Sequence, residues 1–269
     1  MPKCLKCNDS VFEVKNLRVD LTIKKQTIEV VVPSNVCKGC NAALMNSEQM
    51  NLLRKMSADK YREINGLLTS KEIIAFREKL GLSQIAFARY LNVGEASIKR
   101  WETYYIQDES QDDHIRIKCD QSYSEAHSFY LQCKYGDVDI YSGLKSFSAE
   151  LVKRVYQYFE KELPDCSPHL SKLHFYTDFL HFKRHNKCIT GLRYIPSKSG
   201  PSPYNYNLLT NFVNGQLIRT IDKSAFGFDD REKQTMEDIC ALFLRDNGQM
   251  ISQFSAQEKG YLETEESNF

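Results

Sequence analysis

Leu82-Ser-Gln-Ile-Ala-Phe-Ala-Arg-Tyr-Leu-Asn-Val-Gly-Glu-Ala-Ser-Ile-Lys-Arg-Trp-Glu102 is the stretch that decides the fold of the front of this 269-residue chain. Ser83 is placed to cap a helix that directs Ile85, Ala86, Ala88 and Leu91 inward. Asn92-Val93-Gly94 is too short and too turn-prone for anything but a tight connection. Glu95 to Trp101 then forms a second short helix with Ile98 and Trp101 turned in. Upstream, Thr69 caps a helix to about Leu80, with Ile73, Phe76 and Leu80 on one face and Gly81 at its end. Short helices, a three-residue turn and a small residue, Ala88, where they cross are the requirements of a helix-turn-helix. Asp112 to Cys119 is expected to add a closing helix carrying Ile115 and Ile117.

Upstream lie two chelating pairs, Cys4-Leu-Lys-Cys7 and Cys37-Lys-Gly-Cys40. Each CxxC turn sets two thiolates on one side of a tight loop, and two turns complete a tetrahedral set of four sulfurs, which suits zinc. Four thiolates leave no open position for chemistry, so the metal is expected to be structural, one per chain. Gly39 is read as permitting the turn. The 29 residues between the pairs alternate: Phe12, Val14, Val19, Leu21 and Ile23, then, after Lys24-Lys25-Gln26, Ile28, Val30 and Val32. That pattern predicts a hairpin or small meander joining the knuckles. A redox or disulfide role for the CxxC pairs fits poorly, because no βαβ pattern accompanies them and the compartment read from the sequence is reducing. From Ser47 the period becomes helical, with Met50, Leu53, Met56 or Ser57, Tyr61 and Ile64 near one face, until Asn65-Gly66 ends it.

Composition bounds the rest. Hydrophobic residues at 42% and charged residues at 26% are the ordinary globular mix, and the length asks for two or three domains. No apolar run approaches the roughly 18–20 residues of a membrane helix, and the opening Met-Pro-Lys-Cys lacks a signal peptide's apolar core. A cytoplasmic, nucleoid-associated protein with no membrane partner is therefore expected. The remaining cysteines, Cys119, Cys133, Cys166, Cys188 and Cys240, are scattered singly and read as ordinary thiols. Net charge is +1, yet residues 1–66 hold 11 basic against 7 acidic side chains and residues 107–147 hold 4 against 8. A polyanionic partner is expected for the front only.

Leu-Ser-Gln-x-x-x-Ala-x-x-Leu-x-Val followed by Ser-Ile-Lys-Arg-Trp-Glu resembles the Xre/Cro family. With the double CxxC and hairpin upstream, residues 1–120 resemble the MqsA-type antitoxins. The resemblance implies a homodimer on an inverted-repeat operator. It implies that Gln84 contacts a phosphate, that Ala96, Ser97, Lys99 and Arg100 form the exposed recognition face, and that Arg100 reads guanine. It also implies an ion pair between Arg77 and Glu102. Two positions depart from the pattern: Gly94 replaces the usual Ser cap, and Ala96 stands where MqsA-type proteins carry a base-reading Asn, so no operator sequence carries over.

The back of the chain is read as helical. Residues 121–146 look like a polar, acidic connection. Ser148 starts a helix with Leu151, Val155, Tyr158 or Phe159 and Leu163, stopped by Pro164. Ser167-Pro168 starts another, through the aromatic run Lys172-Leu-His-Phe-Tyr-Thr-Asp-Phe-Leu-His-Phe-Lys-Arg184 to His185. Ile189 to Tyr194 suggests a short strand, Gly200-Pro-Ser-Pro203 a rigid turn, and Tyr204–Val213, Asp230–Leu244 and Ser255–Thr264 helices. His174, His181 and His185 share a helix face, but packed or surface histidines are the simpler reading than a metal site. No nucleophile motif, phosphate loop or dinucleotide fingerprint is present, so no catalytic residue and no enzyme is expected. The aromatic run, Ile189-Thr-Gly-Leu-Arg-Tyr194 and the Gly-Pro-x-Pro step resemble the Panacea, or SocA-like, domain over 147–269. Such domains occur in antitoxins and neutralise a partner toxin, and some relatives act as proteolysis adaptors.

The expected fold is therefore mainly α with a small β zinc module. It divides into a zinc module (1–46), a connecting helix (47–66), an Xre-type helix-turn-helix (67–120), a linker (121–146) and a Panacea-like domain (147–269). The resemblances together imply the antitoxin of a type II toxin-antitoxin system that represses its own operon. A prophage regulator and a proteolysis adaptor are the alternatives, and a short toxin frame beside this gene would separate them.

Overall fold

The computed structural model describes residues 3–213, 227–244 and 249–263. The chain is mostly helical, with a small antiparallel sheet near its start, and it divides into two compact units, Met1–Asp120 and Gln121–Phe269.

In the first unit, β1 (Phe12–Ile23) and β2 (Gln26–Cys37) pair antiparallel, and β3 (Ala43–Leu44) adds to the far end of β2. The hairpin turn is Lys24-Lys25, both left-handed, at φ 46° and 69°. Positive φ at both central residues is what a two-residue turn needs to match strand twist, here at some steric cost to two lysines. The register sets Leu21 opposite Ile28, Val19 opposite Val30 and Leu17 opposite Val32 on one face. α1 (Ser47–Ile64) covers that face, closing Leu53 and Tyr61 over Ile28, Val30 and Val32. Burying side chains of this size contributes about 1.5–3 kcal/mol each, which is the hairpin's main support away from the cysteines. The cap of the helix is Asn46, one residue ahead of Ser47, and it closes a reciprocal pair with Gln49.

α2 (Ser70–Lys79), α3 (Gln84–Leu91), α4 (Glu95–Trp101) and α5 (Glu109–Cys119) complete this unit. Thr69, Ser83 and Asp108 cap three of them through side-chain oxygens, and Gly94 precedes α4 with no such bond. Asn92 bends left-handed between α3 and α4. The core is Leu68, Ile73, Phe87, Ala88, Leu91, Ile98, Trp101 and Ile115. Phe87, not Ile85, anchors α3. Ile85 is 44% exposed, and so is Leu80 at 40%. A helix of 8 residues is barely two turns, and its alanines leave the apolar phase free by one position.

A buried polar frame ties α1 to this layer. The fully buried Arg62 donates to Asp59 Oδ1 (2.7 Å), Gln107 Oε1 (3.0 Å), Trp101 O (2.8 Å) and Tyr105 O (2.7 Å). Gln107 Nε2 in turn donates to Leu68 O and Asp112 Oδ1, and Asp112 receives Arg116. Burial alone would pull the Arg62 guanidinium down, and the Asp59 carboxylate opposes that.

The second unit is built on α8 (Leu170–His185), which is buried nearly all round and is packed by α7 (Ala149–Glu162), α10 (Asp230–Phe243) and α11 (Gln249–Gln257). One core joins Val155, Phe159, Leu173, Ile189, Met236, Ile239, Phe243 and Ile251. A second joins Ala126, Phe129, Val152, Leu192 and Leu209. Two of these residues belong to α6 (Gln121–Lys134), which corrects the expectation of a linker over 121–146. Its polar sequence hides a narrow buried stripe of Tyr123, Ala126 and Phe129.

The proline step is corrected as well. Gly200–Pro203 is not a turn but β5, paired with β4 (Tyr194–Ser197), while Ile189 and Thr190 lie in a buried loop ahead of β4. Proline fits because a two-stranded ladder is all edge. α9 (Tyr206–Val213) follows, and the last expected helix is two, α11 and α12 (Lys259–Leu262), with Thr264 outside the described residues.

Candidate metal centre and nucleic-acid interface

The two knuckles meet at one end of the hairpin. Sγ atoms of Cys4, Cys7, Cys37 and Cys40 all lie within 4.8 Å of one another, with Cys4 to Cys40 at 3.5 Å and Cys7 to Cys37 at 3.4 Å. A tetrahedral site with sulfurs ~2.3 Å from zinc needs sulfurs ~3.8 Å apart, so the donor set fits with only small adjustment. Each knuckle closes the same way. Asn8 N donates to Cys4 O and Asn41 N to Cys37 O, both at 2.9 Å, with both asparagines left-handed at φ 59° and 56°. Asparagine tolerates that conformation. Gly39 serves a different purpose. A Cβ there would stand 2.7 Å from Asp9 Oδ2, so its smallness lets the knuckles approach.

The backbone N–H groups of Lys6 and Cys7 hold the Cys4 thiol down to about 6. The Asp9 N–H favours the Cys7 thiolate too, but the Cys37 and Cys40 sulfurs outweigh it and push Cys7 up to about 12. Sulfur crowding of this kind is relieved by a cation at its centre. Among the described residues this is the one such cluster. His174, His181 and His185 do not form a second. His174 is buried with no partner for Nδ1, His181 Nδ1 pairs with the Thr235 hydroxyl at 2.9 Å, and the His181 and His185 rings stand 4.5 Å apart.

In the helical layer of the first unit, α4 presents Ala96, Lys99 and Arg100 to solvent, with Ser97 half-buried. Gln84, at the start of α3, is half-buried and already engaged: its Nε2 donates to Glu102 Oε2 at 2.7 Å. Glu102 also receives Arg77 Nε at 2.6 Å, which raises the arginine's pKa further. Gln84 is thus held as the outer member of an Arg77–Glu102–Gln84 chain, an arrangement that sequence spacing does not disclose. Arg100 stacks on Tyr105, its guanidinium carbon 5.5 Å from the ring centre.

The second unit carries buried polar groups that nothing in the local sequence announces. Asp178 accepts from Ile189 N and Thr190 N (both 2.9 Å), from Tyr194 Oη (2.8 Å) and from the Thr190 hydroxyl. Burial pushes its carboxyl up, against the pull of those donors. Lys172 donates to Gly200 O (2.9 Å) and Pro201 O (2.8 Å), and burial lowers it to about 8. The aromatic run is mainly core. Phe179, at 51% exposed, is its outlet. It lines two cavities, one of about 310 Å³ shared with Phe175, Tyr194 and Tyr261, the other of about 270 Å³ shared with Tyr141, Phe182 and Leu192. The Gly-Pro-x-Pro step is largely buried.

These features define a β module whose four clustered cysteines could hold a metal ion, with a helical layer, followed by a helical unit with an aromatic outlet. Residues 170–263 match the family described as Antitoxin SocA-like, Panacea domain. The matched stretch begins at α8, so α6 and α7 lie ahead of it. No curated protein matches the chain. No helix among the described residues is long and apolar enough to cross a membrane.

Proposed function

We propose that this chain is the antitoxin of a type II toxin-antitoxin system. The observation that carries the reading is the antitoxin domain at residues 170–263, set behind a front that bears the chain's basic excess. In this reading the first unit is a zinc-stabilised, Xre-type helix-turn-helix protein of the MqsA kind. Cys4, Cys7, Cys37 and Cys40 hold one structural zinc, which reacts with nothing. α4 enters a major groove, Arg100 reads a base edge, and Gln84 reaches a phosphate from the start of α3. A homodimer spans an inverted repeat and represses its own operon. The second unit binds the toxin, with Phe179 as a contact. The protein works in the cytoplasm at the nucleoid and catalyses nothing.

The test is growth. The full chain, co-expressed with the short reading frame beside its gene, is expected to restore growth that the neighbour alone arrests. Phe179→Asp is expected to lose rescue. Arg100→Ala should rescue fully, yet derepress the promoter and weaken operator binding by about 1–3 kcal/mol. A neighbour with no toxicity, or toxicity that the chain does not relieve, would overturn the reading.

A further inference from the structure

The segment after α4 builds a stack. The Tyr104 and Tyr105 rings lie 4.8 Å apart at 26°. Arg100 of α4 covers the Tyr105 ring, and Arg54 of α1 covers the Tyr104 ring at 5.6 Å. The order is Arg54, Tyr104, Tyr105, Arg100, so a cation from α1 closes one end and the recognition-helix arginine closes the other.

The base of the stack is fixed from below. The buried Arg62 Nη2 donates to Tyr105 O at 2.7 Å and to Trp101 O at 2.8 Å, Tyr105 N donates to Arg100 O at 3.2 Å, and the Thr103 hydroxyl donates to Arg100 O at 2.8 Å. Tyr105 itself is 52% exposed, so its ring does not serve the core. The ring instead carries Arg100.

An exposed arginine samples many rotamers and loses that freedom when it grips a base. One already laid on a ring loses less, and stacking through the π face leaves its in-plane N–H donors free for a base edge. We propose that Tyr104 and Tyr105 are positioning residues that, braced by Arg54 and Arg62 of α1, hold Arg100 in the conformation in which it reads DNA. The inference rests on the DNA-reading role of α4 proposed above. The tyrosines act on sequence discrimination through Arg100.

The experiment uses the full chain with zinc, a duplex that the wild type selects from a random-sequence library, and a scrambled duplex of equal length. Tyr105→Leu is expected to bind the selected duplex about threefold to tenfold more weakly. It should bind the scrambled duplex as the wild type does, with an unchanged dependence on salt, because no phosphate contact is lost. Tyr105→Phe keeps the ring and should restore selectivity. Tyr104→Leu is expected to shift affinity in the same sense and gives a second reading should Tyr105→Leu fold poorly. Equal losses on both duplexes, or none on either, would overturn the inference while leaving α4 as the reader. A wild type that selects no sequence would remove the reading of DNA and this inference with it.

Discussion

His174 sits inside α8 with a ring nitrogen that has no partner, and burial lowers its pKa to about 4. An unfolded histidine titrates near 6.5. Above that pH both states are neutral and the group is silent. As pH falls from about 6.5 towards 4, the unfolded chain takes up a proton that the folded chain refuses, so stability is lost across that window. The full displacement corresponds to roughly 3 kcal/mol. Thermal melts from pH 7 to 4.5 should show the second unit weakening, and His174→Leu should flatten the slope and raise stability at pH 5. A slope unchanged by the substitution would assign the acid sensitivity to other groups. His181, also lowered to about 4 by burial first and then by His185, supplies a parallel contribution. Neither histidine's burial is legible in the sequence. Asp178 and Arg62 are equally silent there, because a polar side chain is buried only when distant partners arrive. For Arg62, Gln107 arrives from 45 positions away. The cysteines are legible because a CxxC turn carries its geometry within four residues.

At the scale of elements, the hairpin has two different supports. The cysteines close one end, while Ile28, Val30 and Val32 are covered by α1 nearer the turn. Chelation, or Cys37→Ser, is therefore expected to open the knuckle end first. Hydrogen exchange should quicken around Cys4–Asn8 and Cys37–Asn41 and stay slower at Val19–Ile23 and Ile28–Val32. Uniform melting of the whole hairpin would show that the metal, and not α1, holds all of it. Strands and helices with strong periods are the most readable: β2 and α7 follow their apolar spacing. Val14 of β1 and Met50, Met56 and Ile64 of α1 are instead exposed, and only Leu53, Ser57 and Tyr61 of the expected α1 face turn in. The phase of α3 is not, since Phe87 and Ile85 compete within two turns. Helix α6 escapes a reading from sequence because polar neighbours dilute a stripe of only three buried residues. The ladder of β4 and β5 reads as a turn because Gly-Pro-x-Pro suits both, and the buried Lys172 that grips its carbonyls comes from another element.

Over the whole molecule, the break falls between Asp120 and Gln121, and α6 gives Ala126 and Phe129 to the second unit's core. Division of labour can be tested at that point. Residues 121–269 are expected to relieve the neighbouring toxin, whereas a piece starting at residue 147 should express poorly for want of α6. Residues 1–120 should hold the operator and give no relief. Relief by residues 1–120 alone would reverse the assignment. The Arg62 frame also bears on how such chains are assembled over time. A crossover between the metal module and the helical layer, near residue 66, would strand a buried guanidinium without Gln107 or the carbonyls of Trp101 and Tyr105, a defect that costs several kcal/mol. Recombinants cut there should be purged, so the first 120 residues are expected to travel through genomes as one inherited block, whatever domain is spliced behind them.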